Sequence, residues 1–325
     1  MFTHGLVIGK FYPPHRGHKY LIETAVARCA DVTVIVCWKE GQTISGIERA
    51  RWIAANHPTV HVKLLDDNRL ADNDSAGWAQ NTLTILGFTP DAVFTSEAYG
   101  DAYASHMGCI HVLVDKERTH VPISATLVRS DPVKYAQFLE PNVRAYFAKR
   151  ICVLGAESTG TTTLAEDLAQ HYNTVWVPEY GRFYSAGKLH GDEHALWRSE
   201  EFTYIAKAQA VLEDTLAESS NGLVICDTDP FATGIWHERY MDTQSAAVDK
   251  IAASRTYDLY LLTGDEIPFV PDGLRDGEHI RHAMHHTFIS RLTETKRPYL
   301  LVTGSREERL AQAIKGIDHD VFGKK

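Results

Sequence analysis

Two histidines separated by two residues follow the first apolar run of the chain. The run GLVIG at 5–9 leads directly into GKFYPPHRGHKYLIETA at 9–25, in which a helix-like pattern begins near His18. Gly9 lets the backbone approach a ligand closely, and the first amide groups of the helix would converge with the imidazoles of His15 and His18. Converging donors of this kind suit phosphate. We interpret the pair as phosphate ligands; two ordinary loop histidines, or two metal ligands, are the weaker interpretation.

A second polar segment, PISATLVRSDP at 122–132, has the residue types of a phosphate clamp. Ser124 and Thr126 can cap a helix and bind phosphate oxygens, and Arg129 lies about one turn further along the same face. An arginine at this place can neutralise phosphate charge. Taken alone, the segment is a helix cap with a surface arginine. Together with the two histidines, it completes a phosphate site.

A glycine-containing segment in the middle of the chain has the spacing of a phosphate-binding loop. The stretch RICVLGAESTGTTTLAEDLA at 150–169 reads as strand, loop and helix, with Gly155 and Gly160 where amides must curl around phosphate. Thr162 occupies the position of the magnesium-binding hydroxyl, whereas Thr161 occupies the position that usually holds lysine. We predict that eight residues of this loop bind nucleotide: Gly155, Glu157, Ser158, Thr159, Gly160, Thr161, Thr162 and Thr163.

Two aspartates lie at the end of a later apolar run, GLVICD at 222–227. Asp227 ends the run, and Asp229 follows two residues later. A carboxylate at the tip of a buried strand can hold Mg2+ through water or accept a proton from a substrate hydroxyl. We predict a catalytic role for Asp227, with Asp227 and Thr162 as the magnesium ligands. The alternative is an aspartate that caps the helix after the strand.

Two more polar segments are candidates for closing the same site. The segment FVPDGLRDGEHIR at 269–281 is interpreted as a lid that brings Arg275 and Arg281 over phosphate groups. The segment PEYGRFY at 178–184 follows a predicted strand. Its side chains and the two aspartates are predicted to bind a riboside: Glu179, Tyr180, Arg182, Asp227 and Asp229.

Runs of apolar and β-branched residues of strand length alternate along the chain with helix-like segments. Such continuous apolar strands are typical of a parallel sheet that helices cover on both faces. The predicted strands are 5–9, 31–38, 60–65, 91–96, 110–114, 150–155, 174–178, 222–227, 257–264 and 298–304. Residues 131–150 have no strand pattern and predict two short bridging helices. The sequence therefore predicts two tandem α/β domains, 1–149 and 150–325, with ligands at the carboxyl ends of the strands.

The composition limits the classes of protein to consider. The 325 residues are 44% hydrophobic and carry a formal net charge of −9, which allows two packed cores and argues against a dedicated nucleic-acid-binding protein. No run approaches the roughly 18 apolar residues of a membrane span, and no secretion signal is recognisable. Five cysteines without a CxxC pair predict buried free thiols in a reducing, cytoplasmic compartment.

The first half resembles a family of nucleotidyltransferases. GKFYPPHRGH and ISATLVR resemble the HxGH and ISxTxxR signature of the nicotinamide mononucleotide adenylyltransferases, whereas related cytidylyltransferases carry a different second motif. The resemblance implies a Rossmann-like fold, transfer of AMP from ATP with Mg2+ on the phosphates, and catalytic roles for His15, His18 and Arg129. The implied ATP ligands are Gly9, Lys10, Phe11, His15, His18, Ser124, Thr126 and Arg129. We predict that Trp78 stacks on the nicotinamide ring, with core packing as its alternative.

The second half resembles the ribosylnicotinamide kinase domain of the NadR family, in which an adenylyltransferase precedes a phosphate-loop kinase. The resemblance covers residues 5–316 and implies an enzyme of NAD salvage with both activities. The implied partners are ATP, nicotinamide mononucleotide and ribosylnicotinamide, with a homo-oligomer as the expected assembly. Some members carry an N-terminal helix-turn-helix that makes them repressors. This chain starts at the adenylyltransferase strand, so the resemblance predicts no repressor domain here.

Thr161 leaves the activity of the second domain open. Losing the charge of the loop lysine should cost about 3–4 kcal/mol in the transition state. Another cation, such as Lys188, Arg182 or a lid arginine, could substitute for it. Alternatively, the domain is a slow kinase or only senses nucleotide. A different nucleotidyltransferase that acts on a related mononucleotide or a phospho-alcohol is a further alternative, against which Trp78 and ISATLVR speak.

Overall fold

The chain divides after Arg144 into two units, each with its own sheet. The computed structural model describes residues 1–68, 71, 73–190, 195–269 and 278–324. The first unit is Met1–Arg144 and the second is Ala145–Lys325, and we refer to them as the first and second domains. This division lies a few residues before the predicted boundary at residue 149, and Ala145 and Ala148 pack into the core of the second domain.

In the part of the chain that the structure describes, the first domain is a five-stranded parallel sheet covered by helices. Its strands are β1 (Phe2–Gly9), β2 (Cys29–Trp38), β3 (His61–Asp66), β4 (Ala92–Thr95) and β5 (Ile110–Leu113). Its helices are α1 (Arg16–Val26), α2 (Gly46–Asn56), α3 (Ser75–Leu86), α4 (Gly100–Met107) and α5 (Ala125–Ser130), and a 3-10 turn (Ala136–Phe138) precedes α6 (Pro141–Phe147), which spans the domain boundary. The central strands are apolar throughout because both of their faces are covered: Leu6, Val7, Val34 and Ile35 are inaccessible to solvent.

The strand order of the first domain makes the loop after β1 a natural place for a ligand. The order is β3-β2-β1-β4-β5. The chain runs outward from β1 to β2 and β3, then returns to β4 and β5 on the other side of β1. Ligands of open α/β sheets bind at such a reversal, outside the carboxyl ends of the strands. Gly9 is the last residue of β1, so the segment that contains His15 and His18 begins at this point.

The second domain, over its described residues, is also a five-stranded parallel sheet with an apolar core on each face. Its strands are β6 (Lys149–Leu154), β7 (Val175–Val177), β8 (Leu223–Asp227), β9 (Leu259–Thr263) and β10 (Tyr299–Val302). Its helices are α7 (Thr161–His171), α8 (Tyr180–Lys188), α9 (Ser199–Ala217), α10 (Pro230–Met241), α11 (Ala246–Ala253), α12 (Arg281–Glu294) and α13 (Arg306–Gly316), with a 3-10 turn at Glu278–Ile280 and a π-helical turn at Ile317–Val321. The order β10-β9-β6-β8-β7 puts β6 in the centre, so the loop that follows it opens at the middle of the carboxyl edge.

The predicted architecture of two tandem parallel-sheet α/β domains is confirmed. Each predicted strand corresponds to a strand of the structure within a few residues, and the predicted bridge at 131–150 contains the 3-10 turn and α6. All five cysteines are free thiols, and four of them are buried. Within the described ranges, no helix has the length and apolar character that crossing a bilayer requires.

Candidate functional site

His15 and His18 form one hydrogen-bonded unit at the start of α1. His15 is the N-cap residue, and its Nδ1 atom accepts the backbone N–H of Gly17 at 3.1 Å. The Nδ1 atom of His18 accepts the backbone N–H of His15 at 3.3 Å, and the two rings stack with their centroids 3.8 Å apart. Because each Nδ1 is an acceptor, each neutral ring carries its proton on Nε2. The pair therefore presents two N–H donors.

The surroundings of the two histidines keep them uncharged. Burial lowers the pKa of His15 to about 4, and the nearby positive charge of Arg118 acts in the same direction. Burial also lowers the pKa of His18 well below its usual value, with smaller contributions from His15 and Arg118. At neutral pH both imidazoles are therefore neutral donors rather than cations. The positive charge at this site has to come from arginine or lysine.

Arg129 supplies such a charge and is tied to the histidine loop. One guanidinium nitrogen donates to the backbone carbonyl of Tyr12, and another donates to the Thr126 hydroxyl at 3.2 Å. The guanidinium also lies over the Tyr12 ring, 4.8 Å from its centroid. Ser124 caps α5 by accepting the backbone N–H of Leu127 at 3.2 Å. The structure thus joins the segment at 122–132 to the segment at 9–25, as their proposed common site requires.

Arg49 is a residue of this region that the sequence did not reveal. Its side chain is completely buried, and it donates to the carbonyl oxygens of Lys10 and Cys37 and to the Gln42 side chain at 2.6 Å. It also lies over the Tyr12 ring, 5.2 Å from the centroid. Arg49 therefore holds the loop after β1 against the end of β2. In sequence it is one arginine on an amphipathic helix, which gives no sign of burial.

The other predicted ligands of the first domain differ in their exposure to solvent. Lys10 is exposed beside the histidine loop. The ring of Phe11 is buried in the domain core and packs edge-on against His18, so a contact with ATP through this ring is excluded by its burial. Trp78, in α3, is half-buried against the core and donates its indole N–H to the Ala71 carbonyl at 3.0 Å. Its predicted stacking on nicotinamide stays a prediction.

The segment after β6 forms a compact loop that ends at the start of α7. Ser158 and Gly160 have left-handed backbone conformations, with φ of 57° and 84°. A methyl group on Gly155 would lie 2.2 Å from the Thr263 hydroxyl, so only glycine fits there without a shift of its neighbours. The predicted nucleotide contact of the Thr159 side chain is not found. This side chain is buried and bonds to the Ala156 carbonyl and the Thr263 hydroxyl at 2.6 and 2.7 Å. It shapes the loop and does not face a ligand.

Two buried arginines donate hydrogen bonds to backbone carbonyls of this loop. Arg309 is 4% exposed and donates to the Thr159 carbonyl at 2.6 Å, to the carbonyls of Gly264 and Gly304, and to Glu266 at 2.7 Å. These bonds join the loop to the ends of β9 and β10. Arg281 is also buried and donates to the Ser158 carbonyl at 3.3 Å.

The carboxylate of Asp227 meets the loop at the tip of β8. One oxygen accepts the Thr162 hydroxyl at 2.6 Å, whereas the other, Oδ1, is buried without a hydrogen-bond partner. Burial raises the pKa of Asp227 to about 6, and the hydroxyls of Thr162 and Thr161 and the charge of Arg182 oppose this rise. A buried carboxylate with one oxygen unsatisfied is an expensive group, and such groups are typical of functional sites.

A cavity of about 460 Å³ lies between the loop and helices α8, α9 and α10. The loop and Asp227 form one wall, together with Arg182 and Glu179. Four aromatic side chains from α9, α10 and the segment before α9 also line the cavity, and we refer to them as the aromatic wall: Trp197, Phe202, Trp236 and Tyr240. Trp197 and Tyr240 lie 5.5 Å apart between ring centroids. These residues are scattered over 44 positions of the sequence, so their spacing carries no signal that could have found them.

Several predicted contacts of the second domain lie elsewhere. Asp229 does not line the cavity; it is buried, caps α10 through the Ala232 N–H at 2.9 Å and accepts the Tyr260 hydroxyl at 2.9 Å. Burial raises its pKa to about 6. The Tyr180 hydroxyl donates to Tyr204 at 3.3 Å, and this residue does not line the cavity either.

Two cations that we predicted to lie near the phosphate groups do not line the cavity. Arg281 begins α12, donates to the Ser158 carbonyl of the phosphate loop and does not line the cavity, so the predicted lid contact is not seen for this residue. Arg275 lies outside the described residues. Lys188 pairs with Glu201 at 2.9 Å and does not line the cavity. Of the described lysines and arginines that we predicted as substitutes for the loop lysine, Arg182 alone lines it.

The loop and Asp227 fit a magnesium ion that arrives with a nucleotide. Hydroxyl and carboxylate oxygens are the ligands that Mg2+ prefers, with the remaining positions filled by phosphate and water. The Thr162 hydroxyl and the unpartnered oxygen of Asp227 are of this type. Among the described residues, no cluster of three or more histidine, cysteine or acidic side chains could hold a metal without such help.

Comparison with known proteins gives consistent results for both halves of the chain. Residues 150–309 match the model of a family described as an AAA domain. The trifunctional NAD biosynthesis/regulator protein NadR of Escherichia coli (strain K12) is 30% identical over 295 residues, which are 84% of this chain and 72% of that protein. The NadR protein of Salmonella typhimurium is 29% identical over 313 residues, which are 89% of this chain and 76% of that protein.

Two solved structures share the fold. A crystal structure of NadR protein in complex with NR matches with a TM-score of 0.80 and 21% identity, and it covers 98% of this chain and 96% of its own. A crystal structure of NadR protein in complex with NAD and AMP-PNP matches with a TM-score of 0.79 and 21% identity, and it covers 100% and 97%. Together with the 30% identity to the Escherichia coli protein over most of both sequences, these results show that the chain belongs to the NadR family.

Proposed function

We propose that the protein is a bifunctional enzyme of NAD biosynthesis. Its second domain would phosphorylate ribosylnicotinamide with ATP, and its first domain would join the resulting nicotinamide mononucleotide to a second ATP, giving NAD and pyrophosphate. The observation that carries the proposal is the cavity of the second domain, which is lined by the phosphate loop, by the Asp227 carboxylate bonded to that loop, and by a group of aromatic side chains. The printed names of the curated relatives, NAD biosynthesis/regulator proteins, support it.

The geometry suits transfer of a phosphoryl group to a hydroxyl of the riboside. The hydroxyl oxygen would attack the γ-phosphorus of ATP, its proton would pass to the Asp227 carboxylate, and the bond from the γ-phosphorus to the bridging oxygen would break to release ADP. Asp227 is suited to this role because one of its oxygens has no partner in the protein. Thr162 would hold Mg2+ directly and Asp227 would hold it through water, which leaves the unpartnered oxygen of Asp227 for the proton; the ion neutralises charge on the phosphates when bound.

The aromatic wall is suited to the other end of the same substrate. The pyridinium ring of ribosylnicotinamide is flat and positively charged, and the faces of tryptophan and tyrosine attract such rings. Trp197, Trp236 and Tyr240 line the same cavity as the loop. A substrate that spans the cavity would therefore place its ring on the aromatic wall and its ribose near Asp227.

In the first domain, the proposed reaction is attack of the mononucleotide phosphate on the α-phosphorus of ATP, with pyrophosphate as the leaving group. His15 and His18 would donate their Nε2–H groups to phosphate oxygens, because their Nδ1 atoms already accept backbone N–H groups. Arg129 would supply positive charge beside them, with Lys10 as a further cation. Positioning and electrostatic stabilisation, rather than proton transfer, would produce the rate enhancement.

The proposal is tested with purified protein, ribosylnicotinamide, ATP and Mg2+, by following ADP and the mononucleotide. We expect product that disappears in an Asp227→Ala variant, which should retain adenylyltransferase activity in a separate assay with nicotinamide mononucleotide and ATP. A wild-type protein that forms NAD from the mononucleotide but never phosphorylates ribosylnicotinamide would contradict the kinase assignment.

The second candidate function for residues 150–325 is nucleotide sensing, which Thr161 favours. The loop and the magnesium ligands could bind ATP without the lysine that normally stabilises the transition state. In that case the same assay would give no mononucleotide, while AMP-PNP would still bind. Under this alternative the first domain remains the adenylyltransferase.

A further inference from the structure

The proposed kinase site lacks a positive charge at a position where it is ordinarily required. Thr161 is the first residue of α7 and lines the cavity beside Asp227. A phosphate loop usually has lysine here, which reaches the β- and γ-phosphates. Charge develops on the transferring group and on ADP in the transition state, so an enzyme with this loop needs a cation from another element.

Three other described cations of the second domain do not line the cavity: Arg281, Arg309 and Lys188. The guanidinium of Arg309 is used by three backbone carbonyls and Glu266. Arg281 donates to the Ser158 carbonyl and does not line the cavity. Lys188 pairs with Glu201 and lies over the Trp197 ring, 5.2 Å from its centroid, toward the aromatic side.

Arg182 has the required position. The strands β7 and β8 are neighbours, with Val177 opposite Cys226, so the chain segments that follow them emerge side by side at the carboxyl edge. Asp227 follows Cys226 directly, and Arg182 lies in the first turn of α8, just after β7. Arg182 lines the same cavity as Thr161 and Asp227. Its charge is also one of the groups that oppose the burial-driven rise in the pKa of Asp227.

We propose that Arg182 contacts the γ-phosphate of ATP and supplies, from α8, the positive charge that Thr161 does not provide from the loop. The inference rests on the proposed kinase function and assigns Arg182 as a catalytic residue rather than as a riboside contact. A guanidinium is suited to the role because it is always charged and can bind two phosphate oxygens at once.

The first test is a double-mutant cycle between positions 161 and 182. In the wild-type background, we expect Arg182→Gln to lower the kcat of ribosylnicotinamide phosphorylation about 10²–10³-fold, the usual loss for one transition-state donor. Arg182→Lys should retain more of the rate. In a Thr161→Lys background the loop cation is restored, and Arg182→Gln should cost less than about tenfold. Equal losses in both backgrounds, or no loss in either, would overturn the proposal.

Two controls belong to this cycle. Lys207→Gln removes one positive charge from the exposed face of α9 and should leave kcat unchanged, which separates a local effect from a change in net charge. Thermal unfolding of each variant checks the fold. Arg182 is exposed, so its substitution should leave the fold intact.

A binding measurement tests the contact even without turnover. The affinities of AMP-PNP and ADP are measured by calorimetry in the presence of Mg2+. If Arg182 contacts the γ-phosphate, Arg182→Gln should weaken AMP-PNP about tenfold or more and leave ADP within about twofold. Equal weakening of both nucleotides, or of neither, would overturn the contact. If Arg182→Gln weakens AMP-PNP but not ADP while the wild-type protein forms no product, the proposed kinase function is contradicted and Arg182 remains a γ-phosphate contact.

Discussion

Asp227 combines accessibility to the cavity with an environment that disfavours its charge. It ends a buried strand, has one oxygen bonded to Thr162 and one without a partner, and its pKa is raised to about 6 by burial. Asp229, two residues later, is also buried with a raised pKa, but it faces Tyr260 and the start of α10. Two similar carboxylates therefore have different surroundings, and only that of Asp227 suits the proposed catalytic role.

This difference predicts the pH dependence of the proposed kinase. Only the ionised Asp227 can accept the substrate proton, so kcat/KM should fall about tenfold per pH unit below about 6 and level off above it. The rate is measured with ribosylnicotinamide at constant ionic strength. Adenylyltransferase activity of the same sample is the control for general inactivation at low pH. A kinase profile that stays flat down to pH 5 would contradict Asp227 as the base.

The two histidines of the first domain predict a different kind of titration. Because the pKa of His15 is lowered to about 4 and that of His18 is also lowered, neither ring of the free protein should take up a proton between pH 8 and about 5. Long-range ¹H–¹⁵N correlation spectra should show both rings with the proton on Nε2. His15→Gln and His18→Gln identify the two signals among the 17 histidines. A ring that titrates near 6.5, or a proton on Nδ1, would contradict the geometry.

At the scale of elements, the phosphate loop depends on side chains from three parts of the second domain. Gly155 leaves room for the hydroxyls of Thr159 and Thr263, which bond to each other at 2.7 Å. Arg309, from α13, holds the loop and the ends of β9 and β10 through backbone carbonyls. The loop is thus positioned by packing and hydrogen bonds as much as by its own glycines.

Gly155→Ala tests this dependence, with Gly187→Ala as the matched control. A methyl group at 155 would lie 2.2 and 2.6 Å from the two threonine hydroxyls, so we expect a loss of about 1–3 kcal/mol of unfolding free energy and at least tenfold weaker AMP-PNP binding. Gly187, within α8, has nothing within 4 Å of the same position, so alanine there should be neutral or stabilising by up to about 1 kcal/mol. Urea unfolding and calorimetry measure the two effects. Equal behaviour of the variants would contradict the packing argument.

At the scale of the whole molecule, the two proposed reactions form a sequence in which the product of the second domain is the substrate of the first. Each domain has its own sheet, core and candidate site. The residues described for each candidate site therefore belong to a single domain.

If the two sites are separate, two variants that receive ribosylnicotinamide and ATP should stop at different steps of the sequence. His18→Ala removes a group of the first domain that is proposed to donate a hydrogen bond to phosphate. This variant should accumulate nicotinamide mononucleotide while NAD formation falls at least about 10²-fold. Asp227→Asn should form neither product but should still make NAD when the mononucleotide is supplied. Chromatography of the reaction mixtures measures the amounts of ribosylnicotinamide, nicotinamide mononucleotide and NAD. Loss of both activities in either variant, with the fold intact, would contradict separate sites.

The tandem sheets and the phosphate loop were predictable because they depend on local order along the chain. A strand covered on both faces must be apolar throughout, and a loop that curls around phosphate needs glycines at fixed spacing just after such a strand. The segments at 5–9, 150–155 and 222–227 satisfy these conditions, and each became a strand that ends at a candidate site. The sequence alone therefore determined the fold class, the two loops and the position of Asp227.

The tertiary structure decided which neighbours these loops acquire. Asp229 and Thr159 have residue types that suit a site, but both are buried structural groups. Four other residues belong to no motif, yet they lie at the candidate sites: Arg49, Trp197, Trp236 and Tyr240. A helix pattern shows that one face is buried, but not what that face contacts. Contacts between residues far apart in the chain depend on how strands and helices pack in three dimensions, and no local spacing records them.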